Sequence, residues 1–540
     1  MKDISSTGSF VDFTLENFIY VDKTEYIPKL LKLKRVFISR PRRFGKSLTL
    51  DTIATLFETG VEPYFKGTWI SDKWTEPTYP VLRLNFLNFD KNSIEKFNNK
   101  LNSKITEFAE LNHVTSYKEK EEAEDSIDHL LEQLRLENRQ IVILIDEYDC
   151  QMTANINNEA LYKQFQEKIK SFYANLKDKL AIKFLGITGV TRLKDVEIFS
   201  IGSDINDITN DSAYSQMIGF TRDEIKKYYI DYLKLAASYE NNCTVDNVTE
   251  AQIESLLDRL AKNYDGYCFD EFYKKKVFST WSVNKFFQSV VSNKFVYFGE
   301  YWYDNGGLPS ILVNYLKTHE LNIFEYLDKD KFLKVSSDDF KNPTALTTIN
   351  QNVLMCQTGY LTLRSDLNKT STVALGIPNG EIYKALNRLL ANNIFKGNTD
   401  ITDDYGRSLL EVGTVDDIIN LFNSALNSVS YDNYPIVSES SVQNMLKLYL
   451  LGAHQKVLSE LHEAKGRADL VVNTDNRRIV FEFKYAKNET EAKSKLLDAV
   501  EQIKTRDYGN IVPKKTELLR IATVFNADPK VRAFTEYQSV

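Results

Sequence analysis

Cysteine, histidine and long apolar runs are scarce in this chain. Its 540 residues include 4 cysteines and 5 histidines. The cysteines lie far apart and form no C-x-x-C pair, so neither a zinc site nor a disulfide framework is expected. No apolar run approaches the length of about 18 residues that suggests a membrane helix, and no N-terminal segment has the pattern of a secretory signal. These absences predict a soluble, cytoplasmic protein without membrane segments.

A strong charge of one sign is also missing. The formal net charge is −7, and residues 421–540 carry 17 Lys and Arg against 15 Asp and Glu. Any nucleic-acid surface must therefore come from local clustering of basic residues. Aromatic residues make up 12% of the chain, which favours compact structure over disorder. A chain of this length exceeds one hydrophobic core and predicts about three domains.

Three charged residues interrupt two apolar runs near the C-terminus, in the segment GRADLVVNTDNRRIVFEFKYA. Asp469 precedes one run, and Glu482 and Lys484 lie within the next. Both runs have the composition of short buried strands, and the polar residues between them predict a hairpin. Glu482 and Lys484 are two residues apart, so they share one face of a strand, and the hairpin brings Asp469 beside them.

Charges within apolar strands are costly to bury unless they are paired or bind a metal. Two carboxylates can hold Mg²⁺, and a neighbouring lysine can stabilise charge that develops on a phosphate. The pattern therefore fits a metal-dependent phosphodiesterase site. A solvated edge strand with a simple Glu–Lys pair is the alternative that the spacing leaves open.

A second chemical centre lies near the N-terminus, where VFISRPRRFGKSLTL predicts a strand, a tight loop and a helix. Gly45, Lys46 and Ser47 have the form of the end of a phosphate-binding loop. Backbone amides at the helix N-terminus would hold phosphate, Lys46 would reach its oxygens, and the Ser47 hydroxyl would bind Mg²⁺. The first glycine of the usual spacing is replaced by Arg40.

We expect Pro41 and the residues after it to make the turn that this glycine normally makes. Arg40, Arg42 and Arg43 would then add positive charge near the phosphates. Exposure of Arg42 or Arg43 to solvent is the alternative.

A continuous apolar run, IVILI, ends in Asp146 and Glu147. It predicts a central parallel strand whose carboxyl end faces the ligand. Asp146 would hold Mg²⁺ through water and Glu147 would activate the attacking water. A third predicted strand, in LAIKFLGITGVTRL, places Thr188 and Thr191 to sense the terminal phosphate and Arg192 to stabilise charge. A hydroxyl at a strand end can equally be a turn residue.

The C-terminal residues resemble the PD-(D/E)xK nuclease superfamily. The resemblance implies that Asp469 and Glu482 bind metal and that Lys484 is catalytic. It also implies a following helix with a Gln-x5-Tyr element, here Gln502 and Tyr508. An acidic residue on the preceding helix often completes such a site. Glu439 is the better match for that role, and Glu460 is the rival.

The N-terminal motifs resemble the AAA-ATPase-like domain that is joined to such a nuclease in one bacterial family. Further landmarks of that family are YDGY at 264–267, Trp302, QTGYL at 357–361 and IPN at 377–379. We interpret YDGY and QTGYL as turn and packing motifs.

The resemblance implies an α/β fold that consists of a P-loop NTPase core with a parallel sheet, a helical lid and middle region, and a C-terminal α/β nuclease-like domain. The corresponding boundaries are 1–220 for the ATPase-like domain, 221–330 for the helical lid, 331–420 for a connecting region and 421–540 for the nuclease-like domain. Thr221 and Glu224 predict the capped start of the lid's first helix.

Together these motifs predict an ATPase whose nucleotide state controls a metal-dependent nuclease. The cofactors would be ATP and Mg²⁺, with Mn²⁺ as an alternative ion. The partner would be nucleic acid, with DNA favoured, and homo-oligomer formation stays open. The second hypothesis is an ATP-driven switch whose C-terminal domain binds nucleic acid or protein without cutting it. The third is an interaction protein with degenerate sites.

Overall fold

The computed structural model describes residues 1–193, 204–304, 310–316, 319, 323–343, 345–395, 405–453, 455–463, 466–506 and 517–540. The chain forms two compact units, which comprise residues 1–319 with 332–382 and residues 320–331 with 383–540. The predicted connecting region is therefore divided between the two units after Ile382.

A five-stranded parallel sheet organises the first unit. Its strands are β1 (Arg35–Ser39), β2 (Val81–Asn85), β3 (Ile141–Asp146), β4 (Ile182–Gly189) and β5 (Asn206–Asp207). Their order in the sheet is β2-β3-β4-β1-β5, and every pairing is parallel. All residues of β3 are buried, as its continuous apolar run predicts for a central strand. The carboxyl ends of β1, β3 and β4 meet at one edge of the sheet.

The described residues of this part of the chain also form α1 (Phe10–Leu15), α2 (Ile27–Leu33), α3 (Lys46–Thr59), α4 (Ile94–Leu111), α5 (Ala123–Leu136), α6 (Cys150–Ala154) and α7 (Glu159–Ala174). Short 3-10 helices cover Thr24–Tyr26 and Phe86–Asn88. None of the helices in the described ranges is both long and apolar enough to cross a membrane.

A helical region follows, with α8 (Arg222–Tyr228), α9 (Ile230–Asn241), α10 (Glu250–Tyr264), α11 (Thr280–Asn293), α12 (Tyr301–Asp304) and α13 (Ser310–Leu316). The predicted start of α8 is confirmed, because Thr221 and Glu224 form a reciprocal capping box there. The apolar faces of α9, α10 and α11 pack into one cluster around Leu233, Leu257 and Phe287. A 3-10 helix at Val245–Asn247 lies between α9 and α10.

The first unit ends with a small antiparallel sheet of order β6-β8-β7. Its elements are β6 (Leu333–Ser336), α14 (Ser337–Lys341), α15 (Gln351–Gln357), β7 (Thr362–Leu363) and β8 (Thr372–Gly376). A 3-10 helix at Ile323–Glu325 precedes it in the chain.

The second unit contains a five-stranded sheet of order β13-β12-β11-β10-β9. The elements that follow β8 are α16 (Gly380–Ile394), α17 (Arg407–Val412), α18 (Val415–Asn427), α19 (Glu439–Gly452), β9 (Lys456–Glu463), β10 (Gly466–Asn473), β11 (Arg477–Ala486), α20 (Glu489–Arg506), β12 (Glu517–Asn526) and β13 (Ala533–Ser539). The β10–β11 pair is the predicted hairpin. The β11–β12 pair is parallel, with α20 as its crossover helix.

Helices pack on the second sheet through apolar side chains. Ala499 and Ile503 of α20 contact Val480 and Ala522 in one cluster. Phe422 of α18 lies 5.3 Å from the ring of Phe481. Successive residues of β11 alternate in direction, so Phe481 and Glu482 point to opposite faces of the sheet.

Candidate nucleotide and nuclease sites

The loop from β1 to α3, residues 40–45, forms one wall of a cavity of 530 Å³. We call them the phosphate loop and the phosphate cavity, after the role predicted for this loop. Gly45 is the N-cap of α3 and has φ of +101°, a backbone conformation that glycine adopts at little cost. Lys46 and Ser47 begin the helix, so their backbone amides lie at its positive end. The cavity is also lined by Ser5–Gly8 and by the first residues of α11.

Lys46 is buried at this helix start. Its Nζ donates to the backbone oxygens of Arg40 at 3.0 Å and Pro41 at 3.2 Å. It also lies 3.6 Å from Glu147 Oε1. These contacts hold the ammonium group beneath the loop, where backbone amides and a cation converge as phosphate binding requires.

Asp146 connects the phosphate loop to the ends of β3 and β4. The Ser47 hydroxyl donates to Asp146 Oδ2 at 2.6 Å, and the Thr188 hydroxyl donates to Oδ1 at 2.5 Å. Because β4 lies between β1 and β3 in the sheet, Thr188 reaches Asp146 from the neighbouring strand. The structure thus brings together the three hydroxyl and carboxylate groups predicted around a bound Mg²⁺–nucleotide.

Glu147 follows in a left-handed backbone conformation with φ of +53°. Burial raises the pKa of its carboxyl, Lys46 opposes that shift, and the negative charges of Asp149 and Asp146 add to it. A carboxyl group with a raised pKa, placed beside Lys46, is suited to accept a proton from water.

Arg40 does not line the cavity, although it was expected near the phosphates. Its side chain is 1% exposed and its Nη1 donates to the backbone oxygen of Thr209 at 2.6 Å. The guanidinium also lies 4.1 Å from the ring centroid of Phe269, and burial lowers its pKa to about 9. Arg40 therefore supports the loop from the protein interior, whereas Arg42 and Arg43 line the cavity as predicted.

Thr191 and Arg192 also differ from the expected arrangement. The amide and hydroxyl of Thr191 each donate to Asp149 Oδ2 at 2.6 Å, and Thr191 is fully buried. Arg192 pairs with Asp207 and lines a second, smaller cavity together with Arg40. Thr191 is thus a structural residue, and the structure places Arg192 away from the lining of the phosphate cavity.

The second site lies at the β10–β11 hairpin. Glu482 is fully buried, and Lys484 Nζ donates to its Oε1 at 2.8 Å. Asp469 Oδ2 accepts a hydrogen bond of 2.9 Å from the backbone amide of Phe483. Burial and the negative charge of Asp469 raise the pKa of Glu482, Lys484 opposes the rise, and the resulting pKa is about 7.

Helix α19 contributes to this site through its first turns. Glu439 Oε1 lies 3.5 Å from Lys484 Nζ. One turn later, the Gln443 side-chain amide donates to the backbone oxygen of Asp469. Lys484 therefore lies between two carboxylates, and Gln443 fixes the strand that carries the third.

Two oxygen donors at this site fit a divalent cation. Glu482 Oε2 is buried and accepts no hydrogen bond from any residue in the described ranges, and the Asp469 side chain is on the neighbouring strand. Hard cations such as Mg²⁺ prefer carboxylate oxygen and retain several waters. Among the described residues, no group of three His, Cys, Asp or Glu is arranged to hold a metal ion, so Glu439 as a third ligand stays a prediction.

Gln502, Tyr508 and Glu460 are the other residues predicted for the nuclease site. Gln502 lies on α20, the crossover helix expected to carry it. Tyr508 lies outside the described residues. Glu460 lies on β9, a strand and not the helix from which the rival acidic residue was expected.

Comparisons with known proteins agree with this two-part geometry. Residues 5–199 match the model of a predicted AAA-ATPase family, and residues 437–534 match the PD-(D/E)XK nuclease superfamily. The chain carries both domains. The family resemblance and the fold class predicted from the motifs are therefore confirmed.

Two individual proteins are also similar to this chain. The "Uncharacterized protein in vnfD 5'region" of Azotobacter chroococcum mcd 1 is 25% identical over 531 residues, covering 95% of this chain and 94% of that protein. The crystal structure of Cdc6p from Pyrobaculum aerophilum is 11% identical with a TM-score of 0.22, covering 68% of this chain and 93% of that one.

The packing around the candidate nucleotide site extends beyond residues 5–199, which match the AAA-ATPase-like family. Phe44 of the phosphate loop packs against Tyr267 at 4.7 Å and Trp302 at 6.2 Å between ring centroids. A Cβ on Gly359 would lie 2.9 Å from Pro41 and 3.0 Å from Trp302. The YDGY and QTGYL segments are therefore packing motifs, and what they pack against is the phosphate loop.

Sequence reasoning missed three supporting residues: Asp149, Trp281 and Gln443. Gln443 had a local signal, since it lies four residues after Glu439 and thus on the same helix face. Asp149 follows directly in the DEYD motif, but its partner Thr191 lies 42 residues further along the chain, beyond the end of β4. Trp281 had no sequence signal, because its contact with Arg43, whose guanidinium carbon lies 4.0 Å from the centre of the Trp281 ring, exists only in the folded chain.

Proposed function

We propose that this protein binds and hydrolyses Mg²⁺–ATP in its AAA-ATPase-like domain and cleaves nucleic-acid phosphodiesters in its nuclease domain, with DNA as the favoured substrate. The observation that carries the proposal is the buried Glu482, one oxygen of which accepts no hydrogen bond from the described residues, beside Lys484 and the strand of Asp469. Nucleotide state would control cleavage, since one chain joins both domains.

The nucleotide role is supported by the arrangement of Lys46, Ser47 and Asp146. Lys46 would transfer its contacts from loop carbonyls to phosphate oxygens. The Ser47–Asp146 pair, 2.6 Å apart, would hold the hydrated Mg²⁺. Glu147 would accept the proton of the attacking water, and its position 3.6 Å from Lys46 Nζ supports this role, since Lys46 would contact the phosphates.

The cleavage role assigns separate tasks to three side chains. Asp469 and Glu482 would hold the divalent cation, with Mg²⁺ expected and Mn²⁺ as the alternative. The bound ion would polarise the phosphate and lower the pKa of a coordinated water. Lys484, held between Glu482 and Glu439, would stabilise negative charge on the phosphate in the transition state.

A cleavage assay tests the proposal. The purified full-length protein is incubated with single-stranded and double-stranded DNA and RNA, with Mg²⁺ or Mn²⁺, and with and without ATP. We expect metal-dependent cleavage that Asp469→Asn abolishes, because the variant loses a carboxylate charge with little change in shape. ATP hydrolysis by the same variant should persist.

Asp475→Asn is the matched control. Asp475 lies on the turn between β10 and β11, where its side chain is 66% exposed and pairs only with Arg407 among the described residues. Its loss should leave cleavage unchanged. Tight nucleic-acid binding with no cleavage under any condition would favour the ATP-driven switch with a non-cleaving domain.

A further inference from the structure

Arg43 of the phosphate loop is anchored by the start of helix α11. Its backbone has φ of +71°, a left-handed conformation that is strained for a non-glycine residue. In this conformation its backbone oxygen accepts hydrogen bonds from the Thr280 hydroxyl at 2.9 Å and the Trp281 amide at 3.3 Å. The two bonds compensate the strain and join α11 to the loop.

The side chain of Arg43 makes a second contact with the same helix. Its guanidinium carbon lies 4.0 Å from the ring centroid of Trp281, within the range of a cation–π interaction. The indole nitrogen of Trp281 donates to the Tyr301 backbone oxygen at 3.2 Å, which fixes the ring. Arg43 and Trp281 both line the cavity that contains Lys46.

The position of Arg43 favours an anion in this cavity. Burial lowers the pKa of its guanidinium, and the positive charge of Arg42 adds to that effect. A phosphate group bound between the loop and α11 would relieve both effects. ATP carries one phosphate more than ADP, so the affinity for ATP should depend more strongly on where the Arg43 guanidinium is held.

We propose that Trp281 is a positioning residue that holds the Arg43 guanidinium at the cavity for the terminal phosphate of ATP. Helix α11 thereby takes part in distinguishing ATP from ADP. This inference rests on the proposed nucleotide-binding function and names a specificity determinant of the same site.

The experiment measures the Kd of full-length protein for Mg²⁺–ATP and Mg²⁺–ADP by calorimetry. Trp281→Leu keeps an apolar side chain but removes the aromatic face, and it should weaken ATP binding about tenfold while ADP binding changes less than about twofold. Trp281→Phe retains an aromatic face and should keep ATP affinity within about threefold of wild type. Arg43→Gln, which leaves the backbone contacts in place, should reproduce the effect of Trp281→Leu.

Trp69→Leu is the matched control, because Trp69 lies under Lys73 in a similar stacked pair and is absent from the cavity lining. It should bind both nucleotides as wild type does. The double variant with Arg43→Gln and Trp281→Leu should have the same ratio of ATP affinity to ADP affinity as either single variant, because both changes remove one interaction.

Two results would overturn the inference. One is an equal loss of ATP and ADP affinity in Trp281→Leu, which indicates a purely structural role. The other is an unchanged ATP-to-ADP ratio in Arg43→Gln, which remains informative if Trp281→Leu does not fold. Wild-type protein that binds neither nucleotide would instead refute the proposed nucleotide function.

Discussion

Replacing Glu381 by Gln should stabilise the first unit at neutral and alkaline pH. Glu381 is 2% exposed, and its two oxygens accept hydrogen bonds from the Ser282 hydroxyl at 2.7 Å and the Trp302 amide at 2.9 Å. No cation pairs with it among the described residues, and Trp302 packs beside Phe44 of the phosphate loop. The Glu381 carboxyl thus stabilises the packing around the candidate nucleotide site, but burying an ionisable group has a cost in folding free energy.

The magnitude follows from the shift in its pKa. Burial raises the pKa of Glu381 from 4.5 to about 8. The folded chain therefore binds more protons than the unfolded chain between these values, so the free energy of unfolding falls as the pH rises through this window and levels off above it. At pH 7 this effect should lower the free energy of unfolding of the wild-type protein by about 3 kcal/mol. Gln is neutral throughout and avoids the loss.

Urea unfolding at pH 5.5 and 7.5 measures the effect. All 4 tryptophans lie in the first unit, so their fluorescence reports its transition alone. The stability difference between Glu381→Gln and wild type should widen by about 2 kcal/mol between the two pH values. Glu95→Gln, on an exposed face of α4, should show no such widening. A difference that stays constant with pH would show that the pKa of Glu381 in the folded chain is close to its value in the unfolded chain, and would refute the reasoning.

Four further outcomes are expected. Gly359→Ala should destabilise the first unit by about 1–2 kcal/mol and weaken nucleotide binding, whereas Gly67→Ala, also at positive φ but with nothing within 4 Å of the new Cβ, should strain the backbone and leave nucleotide affinity unchanged. Saturating Mg²⁺–ATP at about 100 times its Kd should stabilise the protein by about 2.7 kcal/mol, and the rise in Tm should vanish in Lys46→Ala. Glu147→Gln should bind ATP but not hydrolyse it in a phosphate-release assay, and its cleavage rate would show whether nuclease activity needs turnover or only binding. Lys484→Ala should slow cleavage about 10²–10³-fold with metal affinity nearly retained in calorimetry, and cleavage at the wild-type rate would contradict its proposed role.

Much of the fold and of both sites could be predicted from the sequence, because their signals are local. The apolar run before Asp146 predicts a buried strand, and the polar residues between β10 and β11 predict a turn, each from only a few residues. Gly45 to Ser47 specify a loop and helix start by the same local rules. Glu482 and Lys484 share a face because strands alternate with period two. These features need no knowledge of distant packing.

Only the tertiary structure decided which distant residues support the sites. Arg40 and Arg43 lie in one loop, yet one is buried against Thr209 and the other stacks on Trp281. Arg43 and Thr280, which donates to its backbone oxygen, are 237 residues apart in the chain. Pairings at such separation depend on how helices and loops pack in three dimensions, and hydrophobic periodicity carries no information about them. The same physical reason explains why Gly359 is recognisable in the sequence as a turn residue, whereas the lack of room for a Cβ beside Pro41 emerges only from the folded chain.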